Sequence, residues 1–113
     1  MSDEDFIVVL VTVGSLDEGG TIAGELVRAG LAACVNRVGP VHSVYRWNGE
    51  VAEDDEYLLL IKARRQTFDA LEAKVRALHS YDVPEVIALP ITAGASSYLE
   101  WLATGTRGVP VGA

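Results

Sequence analysis

The sequence predicts an α+β domain: one four-stranded antiparallel sheet, two helices across one of its faces, and a short further helix at the end. Three observations predict it. A β-branched apolar run, Phe6 to Val13, closes on Gly14. Two stretches, near 15–30 and 66–78, carry apolar residues at helical spacing. Between them, two long strand patterns meet at Asn48-Gly49, the strongest short hairpin signal available. With a last strand after the second helix, the order is βαββαβ, the ferredoxin-like split βαβ arrangement. No linker divides the chain, so residues 1–113 read as a single domain with half its residues hydrophobic, enough for one core.

Each element has a local cause. Phe6–Val13 is apolar almost throughout, the pattern of a central strand buried on both faces. Ser15-Leu16-Asp17-Glu18 has capping-box spacing; Ile22, Ala23, Leu26 and Val27 form the helical stripe behind it, and Gly30 supplies a C-terminal cap. The pair Gly19-Gly20 costs about 1 kcal/mol per residue relative to alanine, so the first turn frays unless something packs there. The second strand, from Ala33, is interrupted at Gly39-Pro40, where a bulge or a sheet edge is expected. Its return partner starts with Glu50, Glu53, Asp54, Asp55 and Glu56, read as a solvated edge, and ends in the apolar Tyr57–Ala63. The second helix, from about Gln66 to Leu78, buries Phe68, Leu71, Val75 and Leu78, with acids early and bases late as the helix dipole favours. Val83 to Ile91 reads as a fourth strand between Pro84 and Pro90. Ser97-Tyr98-Leu99-Glu100 repeats the capping-box spacing and opens a short helix with Leu99 and Leu102 inward, ahead of a glycine-rich tail expected to be loose.

The central hairpin is too long for its own sheet. Cys34–Trp47 and Glu50–Ala63 span about fourteen residues each, whereas strands typically run about five or six. The tip therefore projects as a two-stranded ribbon with unpaired edges and with Tyr45 and Trp47 on one face. Such a ribbon is marginal alone, so another copy of the chain is expected to complete it.

Composition excludes several functions. Nine Lys and Arg against sixteen Asp and Glu give a net charge of −7 and a pI near 4.6, which opposes attraction to phosphate backbones and anionic lipid. An RNA-recognition domain shares the fold order, but its third strand carries stacking aromatics, and Tyr57–Lys62 offers one. No nucleic-acid or membrane partner is expected; the run Phe6–Val13 is too short to span a bilayer. The N-terminal stretch begins with acids rather than the bases of a leader. Cys34 is the only cysteine, which precludes an intramolecular disulfide or a CxxC motif. These features predict a cytoplasmic protein.

Catalytic motifs are missing: no Gly-x-Ser-x-Gly elbow, no Walker or Rossmann glycine pattern, and no assignable Ser–His–Asp order. The acids at 50–56 lack the spacing of a calcium loop. The two imidazoles, His42 and His79, lie in no paired-ligand spacing; His79 reads first as a side chain near the carbonyl end of a helix and second as a metal ligand. Tyr45, Trp47, Lys62, Tyr81, Glu85, Tyr98 and Trp101 remain as an aromatic and charged set spread over five elements. Lys62, inside an apolar strand, must pair with a carboxylate or face a pocket, and Glu85 is the candidate partner.

Five segments in order, Leu31-Ala32-Ala33-Cys34-Val35-Asn36, Ser43-Val44-Tyr45-Arg46-Trp47-Asn48-Gly49, Ile61-Lys62, Leu78-His79-Ser80-Tyr81-Asp82-Val83-Pro84-Glu85, and Leu89-Pro90-Ile91 with Tyr98-Leu99-Glu100-Trp101-Leu102, resemble the CutA family of divalent-cation tolerance proteins. The resemblance implies a non-enzymatic homotrimer, joined by hairpin strands and similar in shape to PII signalling trimers, that takes part in the response to metal ions. It requires no cofactor and implies weak binding of Cu²⁺ or another divalent cation, with His79 as metal ligand. The family's copper pattern has a cysteine late in the first strand and two adjacent histidines, where this chain has Val11 and Leu78-His79. The alternative is a PII-like sensory or scaffold trimer. Its intersubunit cleft, formed by Tyr45, Trp47, Lys62, Tyr81, Glu85, Tyr98 and Trp101, takes a small anionic metabolite or a partner protein.

Overall fold

A computed structural model describes residues 6–106. The elements run β1 (Phe6–Val13), α1 (Leu16–Arg28), β2 (Cys34–Trp47), β3 (Glu50–Arg64), α2 (Phe68–Leu78), β4 (Val86–Pro90) and α3 (Ser96–Gly105). The sheet order is β2-β3-β1-β4, antiparallel throughout. This is the expected ferredoxin-like α+β fold. The glycine-rich tail expected to be loose, 107–113, lies outside the described residues, as does the acidic start, 1–5.

One face of the sheet is closed by α1 and α2. Val9, Val11, Val13, Leu59 and Ile61 pack there against Ile22 and Leu26 of α1 and Leu71 and Val75 of α2, all fully buried. Helix α1 begins on Ser15, whose hydroxyl accepts from the Glu18 N–H at 3.1 Å. It ends in a Schellman motif, with Gly30 at φ 72° and Leu31 N–H donating to the Leu26 carbonyl at 3.0 Å. The predicted stripe needs one correction: Val27 is exposed and Gly19 is buried in its place. A Cβ on Gly19 would stand 3.2 Å from Val13 and 3.3 Å from Leu59, so its lack of a side chain lets the helix close on the sheet. Arg37 reaches over from β2, lies against Gly20 and donates to the Leu16 carbonyl at 3.1 Å. That is the packing the glycine pair requires. Between the helices, Glu25 meets both Arg28 and Lys74 at 3.6 Å.

The hairpin behaves as its sequence demands. Asn48 and Gly49 both take positive φ, 51° and 79°, the geometry of a type I′ turn. The ladder slips between Val38, opposite Leu58, and Val41, opposite Glu56, so β2 carries one extra residue at the expected bulge. Gly39 is at φ 152°, and a Cβ there would sit 2.7 Å from the Tyr57 ring.

Two boundaries differ from expectation. β4 starts at Val86 rather than Val83, because residues 79–84 are taken up by a turn. α3 starts at Ser96 on Ala95, without a side-chain cap, so the capping-box spacing at Ser97–Glu100 goes unused; Leu102 is nonetheless fully buried and Leu99 half-buried. Among the described residues no helix is long and apolar enough to cross a membrane.

Candidate functional site

The bulge decides which side chains meet. Residues opposite one another in an antiparallel ladder share a face, and an inserted residue reverses the alternation of everything beyond it. Below the bulge, even-numbered residues of β2 (Cys34, Asn36, Val38) pair with Lys62, Leu60 and Leu58; above it, odd-numbered ones (Val41, Ser43, Tyr45, Trp47) pair with Glu56, Asp54, Ala52 and Glu50. The extra residue thus moves Tyr45 and Trp47 onto the face that carries Glu56 and, one strand over, Thr12 opposite Leu58. This is the sheet face that α1 and α2 leave uncovered.

At the root of the hairpin arm these side chains line an open pocket of about 550 Å³. One wall is Tyr45, Trp47, Ser43 and Val44 of β2; Glu56 and Thr12 form the floor; Tyr81, Asp82, Val83 and Glu85, from the turn before β4, form the other wall. Glu56 is 8 % exposed and accepts the Tyr81 O–H at 2.7 Å. Burial and the bonded Glu56 carboxylate push the Tyr81 phenol well above its ordinary value, so it stays a donor. Tyr45 donates to Asp54, and that bond raises its phenol too. Gly14 leaves room for Tyr81: a Cβ there would lie 3.3 Å from its hydroxyl oxygen.

The turn that presents Tyr81 is held from beneath by His79. Its Nε2 lies 2.7 Å from the Thr12 carbonyl and its Nδ1 accepts the Tyr81 N–H at 3.0 Å, which assigns the proton to Nε2. The imidazole side chain is fully enclosed, and its ring packs 4.7 Å from the Tyr81 ring. Glu18 completes the clamp. Its carboxylate accepts from the Ser80 N–H at 2.7 Å and the Ser80 hydroxyl at 3.0 Å, and lies 3.4 Å from His79 Nδ1. The capping-box glutamate of α1 therefore serves the far turn, while its own N–H makes the cap.

The sequence-derived candidates fall into two groups within the protomer. Tyr45, Trp47, Tyr81 and Glu85 converge on the pocket, with His79 immediately behind. Lys62, Tyr98 and Trp101 do not. Lys62 lies six residues along β3 from Glu56, about 20 Å at strand rise, and its ammonium donates to Asn36 and lies 4.0 Å from Cys34 Sγ. Its partner within the protomer is thus Asn36, and the expected pairing with Glu85 is not made. Tyr98 and Trp101 stack on α3 with ring centroids 5.6 Å apart; burial, reinforced by Cys34, pushes the Tyr98 phenol up. His42 stands on the opposite face of the arm, between Asp55 at 2.9 Å and Glu53 at 2.7 Å, and these bonds raise its pKa.

Glu56 escaped the sequence reading, which grouped it with the solvated acids of the arm. Its signal was parity: it shares a face with Leu58, Leu60 and Lys62, not with its neighbour Asp55. Among the described residues no three His, Cys, Asp or Glu side chains are arranged to hold a metal ion.

Fold and pocket together define a class of domain: ferredoxin-like, extended by a two-stranded arm, with an aromatic and acidic pocket at the arm's root. The chain belongs to the CutA1 divalent ion tolerance protein family, whose model matches residues 7–105. It is 52% identical over 99 residues to the divalent-cation tolerance protein CutA of Thermus thermophilus, covering 88% of this chain and 96% of that one. It is also 52% identical over 101 residues to a chloroplastic CutA of Arabidopsis thaliana, covering 89% of this chain but 56% of that relative, so it spans little more than half the plant protein. The solved structure of CutA1 from Oryza sativa matches with a TM-score of 0.91 at 50% identity, over 96% of this chain and 100% of that one. The Thermus thermophilus structure matches at 0.88 with 51% identity, over 89% and 98%.

Proposed function

We propose that the chain acts as a non-enzymatic, cytoplasmic homotrimer in the response to divalent metal ions. One observation carries the assembly. The sheet face opposite α1 and α2 is apolar and incompletely covered: Val8, Leu10, Leu58 and Leu60 are half-buried, and Val38, Ile87 and Leu89 beside them are 42%, 49% and 49% exposed. A continuous apolar sheet face of this kind marks an association surface. The arm extends the argument, since Val44, Trp47 and Val51 at its end are exposed as well. Copies of the chain that cover both surfaces remove the unpaired edges of the ribbon. Light scattering at micromolar concentration is expected to return three times 12.1 kDa; a monomer mass refutes the assembly.

Metal contact is weak in this reading. His79 is the nitrogen donor, next to Glu18, and Cu²⁺ is favoured over other divalent ions by the Irving–Williams order. To ligate through Nδ1 the ring must release the Tyr81 N–H, and through Nε2 the Thr12 carbonyl. Either exchange costs a buried hydrogen bond, about 1–3 kcal/mol. Bound-metal analysis and calorimetry on untagged protein test this, with His79→Ala expected to weaken Cu²⁺ binding while retaining the assembly mass; unchanged binding removes His79 from the site. The cytoplasmic assignment rests on the lone, free Cys34, and cell fractionation tests it.

The pocket favours a second reading, a sensory trimer whose cleft takes a small molecule. Its volume, its aromatic walls and its few polar groups match those of small-molecule sites. A thermal-shift screen of metabolites against metals separates the two readings, since a ligand that binds only the folded state raises the melting temperature.

A further inference from the structure

The uncovered sheet face is sorted by charge along its length. Even-numbered residues of β3 lie on it, from Glu50 opposite Trp47 at the end of the arm to Arg64 opposite Phe6 at the far end of the sheet. Its arm end is acidic: Glu56, Asp82 and Glu85 line the pocket with the rings of Tyr45, Trp47 and Tyr81, and Asp54 and Glu50 follow along the arm. Its middle, Leu58 and Leu60 beside Val8 and Leu10, is apolar. Its far end carries Lys62 and Arg64.

No other described Lys or Arg stands on this face. Arg37, opposite Leu59, and Arg46, opposite Val51, belong to the other parity. Arg28, Lys74 and Arg76 belong to α1 and α2, which cover the other side, and Arg65 lies in the turn that leads into α2. β4 and α3 contain neither Lys nor Arg. A cation that one copy brings to another across this face is therefore Lys62 or Arg64, and the Arg64 Nε is buried at the end of the strand.

Lys62 is half-buried in an apolar stretch of strand, yet no described carboxylate of its own protomer comes within ion-pair distance; its ammonium has Asn36 and, at 4.0 Å, Cys34 Sγ. Charges drawn out of water are ordinarily paired. Glu56 of the same protomer lies about 20 Å away along the strand, several times the reach of a lysine side chain. A closed trimer offers the solution. Its contacts are heterologous, so each copy presents one patch to one neighbour and a different, complementary patch to the other. The two ends of this face are such a pair, and carboxylates beside aromatic rings are the chemistry that takes an ammonium, through charge pairing and cation–π attraction.

We propose that Lys62 of each copy enters the arm-root pocket of the next, its ammonium between Glu56 and Glu85 and its stem against Tyr45 and Trp47. Glu56 keeps the Tyr81 hydroxyl on Oε2 and turns Oε1 to the incoming ammonium. Each copy gives one lysine and receives one, so three equal contacts close the ring. The proposal rests on the homotrimer reading and names the contact that sets the order of its copies.

A zero-length carbodiimide cross-link on the wild-type chain tests it, because the reagent joins an amine to a carboxylate only where the two touch. Nitrogen-15-labelled and unlabelled protein are refolded together, cross-linked and digested. The expected product joins Lys62 to Glu56 or Glu85, with one peptide labelled and the other not, which marks a link between copies. A trimer whose Lys62 gives no such mixed link, or gives it only to acids outside the pocket, overturns the proposal and leaves the trimer standing; a monomer mass by light scattering removes the trimer itself. Charge reversal supplies a second measurement. Lys62→Glu is expected to raise the concentration at which the trimer dissociates about thirtyfold or more, the effect of breaking a desolvated charge pair. Adding Glu85→Lys is expected to recover about tenfold of that loss. Unchanged dissociation in Lys62→Glu, or no recovery in the double variant, overturns the pairing. If Lys62→Glu does not fold, the wild-type cross-link decides alone.

Discussion

Strands β2 and β3 form one ladder whose two halves are stabilised by different means. From Val38 opposite Leu58 down to Cys34 opposite Lys62, the ladder lies in the body of the domain, and Leu59, Ile61 and Ala63 are sealed beneath the helices. From Val41 opposite Glu56 up to Trp47 opposite Glu50, the same pairing continues with no layer against it; Trp47 is 57% and Val51 65% exposed. Burial stabilises the body. In the arm, backbone pairing, an Asn-Gly turn and polar contacts such as His42 with Asp55 and Tyr45 with Asp54 hold the ribbon. The pocket sits where it does because the two regimes meet there. The bulge at the boundary turns the aromatic face of the arm toward the one acid of β3 that the body buries.

Four substitutions test this contrast, in falling order of effect. Leu59→Ala in the body is expected to cost about 2–5 kcal/mol in denaturant unfolding, through lost burial and the cavity left behind. Gly39→Ala at the boundary forces a Cβ to 2.7 Å from the Tyr57 ring and 3.1 Å from the Glu56 carbonyl, at a φ that side chains rarely adopt. The expected loss is about 1–3 kcal/mol, accompanied by altered Tyr45 and Trp47 signals in NMR spectra as the register shifts. Val51→Ala in the arm is expected to change the stability of an isolated protomer by no more than about 0.5 kcal/mol. A larger, concentration-dependent loss shows instead that copies of the chain cover the arm.

The smallest effect is electrostatic. Bonds to Asp55 and then Glu53 raise the His42 pKa above 6.5 in the folded chain. A raised basic group stabilises the folded state fully below its unfolded value, and that stabilisation fades as pH climbs through the folded value. His42 is therefore expected to titrate above 6.5 by NMR, with a displacement that shrinks in high salt because the pair is exposed. His42→Gln is expected to flatten the stability profile between those two values. A midpoint at or below 6.5 breaks the account of how the arm is held.

Much of the fold was legible because its signals are local. The β-branched run of β1, the Ser15 cap and Gly30 terminus of α1, the Asn48-Gly49 turn and the Gly39-Pro40 interruption each act within a few residues, and each appears where the pattern puts it. The misreadings came where a local pattern competed with a distant contact. Ser97 to Glu100 has capping spacing, but α3 starts one residue earlier, at Ser96 on Ala95, without a side-chain cap. Val83 has strand character, but Glu18 and His79 hold its neighbours in a turn. The candidate pocket was half legible: Tyr45, Trp47, Tyr81 and Glu85 stood out by residue type, whereas Glu56 was hidden in an acidic run and Lys62 lies on Asn36 within the protomer.

By itself the sequence determined the order of the elements, the length of the arm and the membership in a family of divalent ion tolerance proteins, since periodicity, turn chemistry and motif order are properties of the chain read along its length. Which side chains of one protomer line the pocket is settled only in three dimensions. Whether an acid is solvated or buried, and which rings of the arm face it, depends on strand parity across a bulge and on which turn packs over which strand. Those are relations between residues 25 to 67 positions apart, and a one-residue slip in register reverses them.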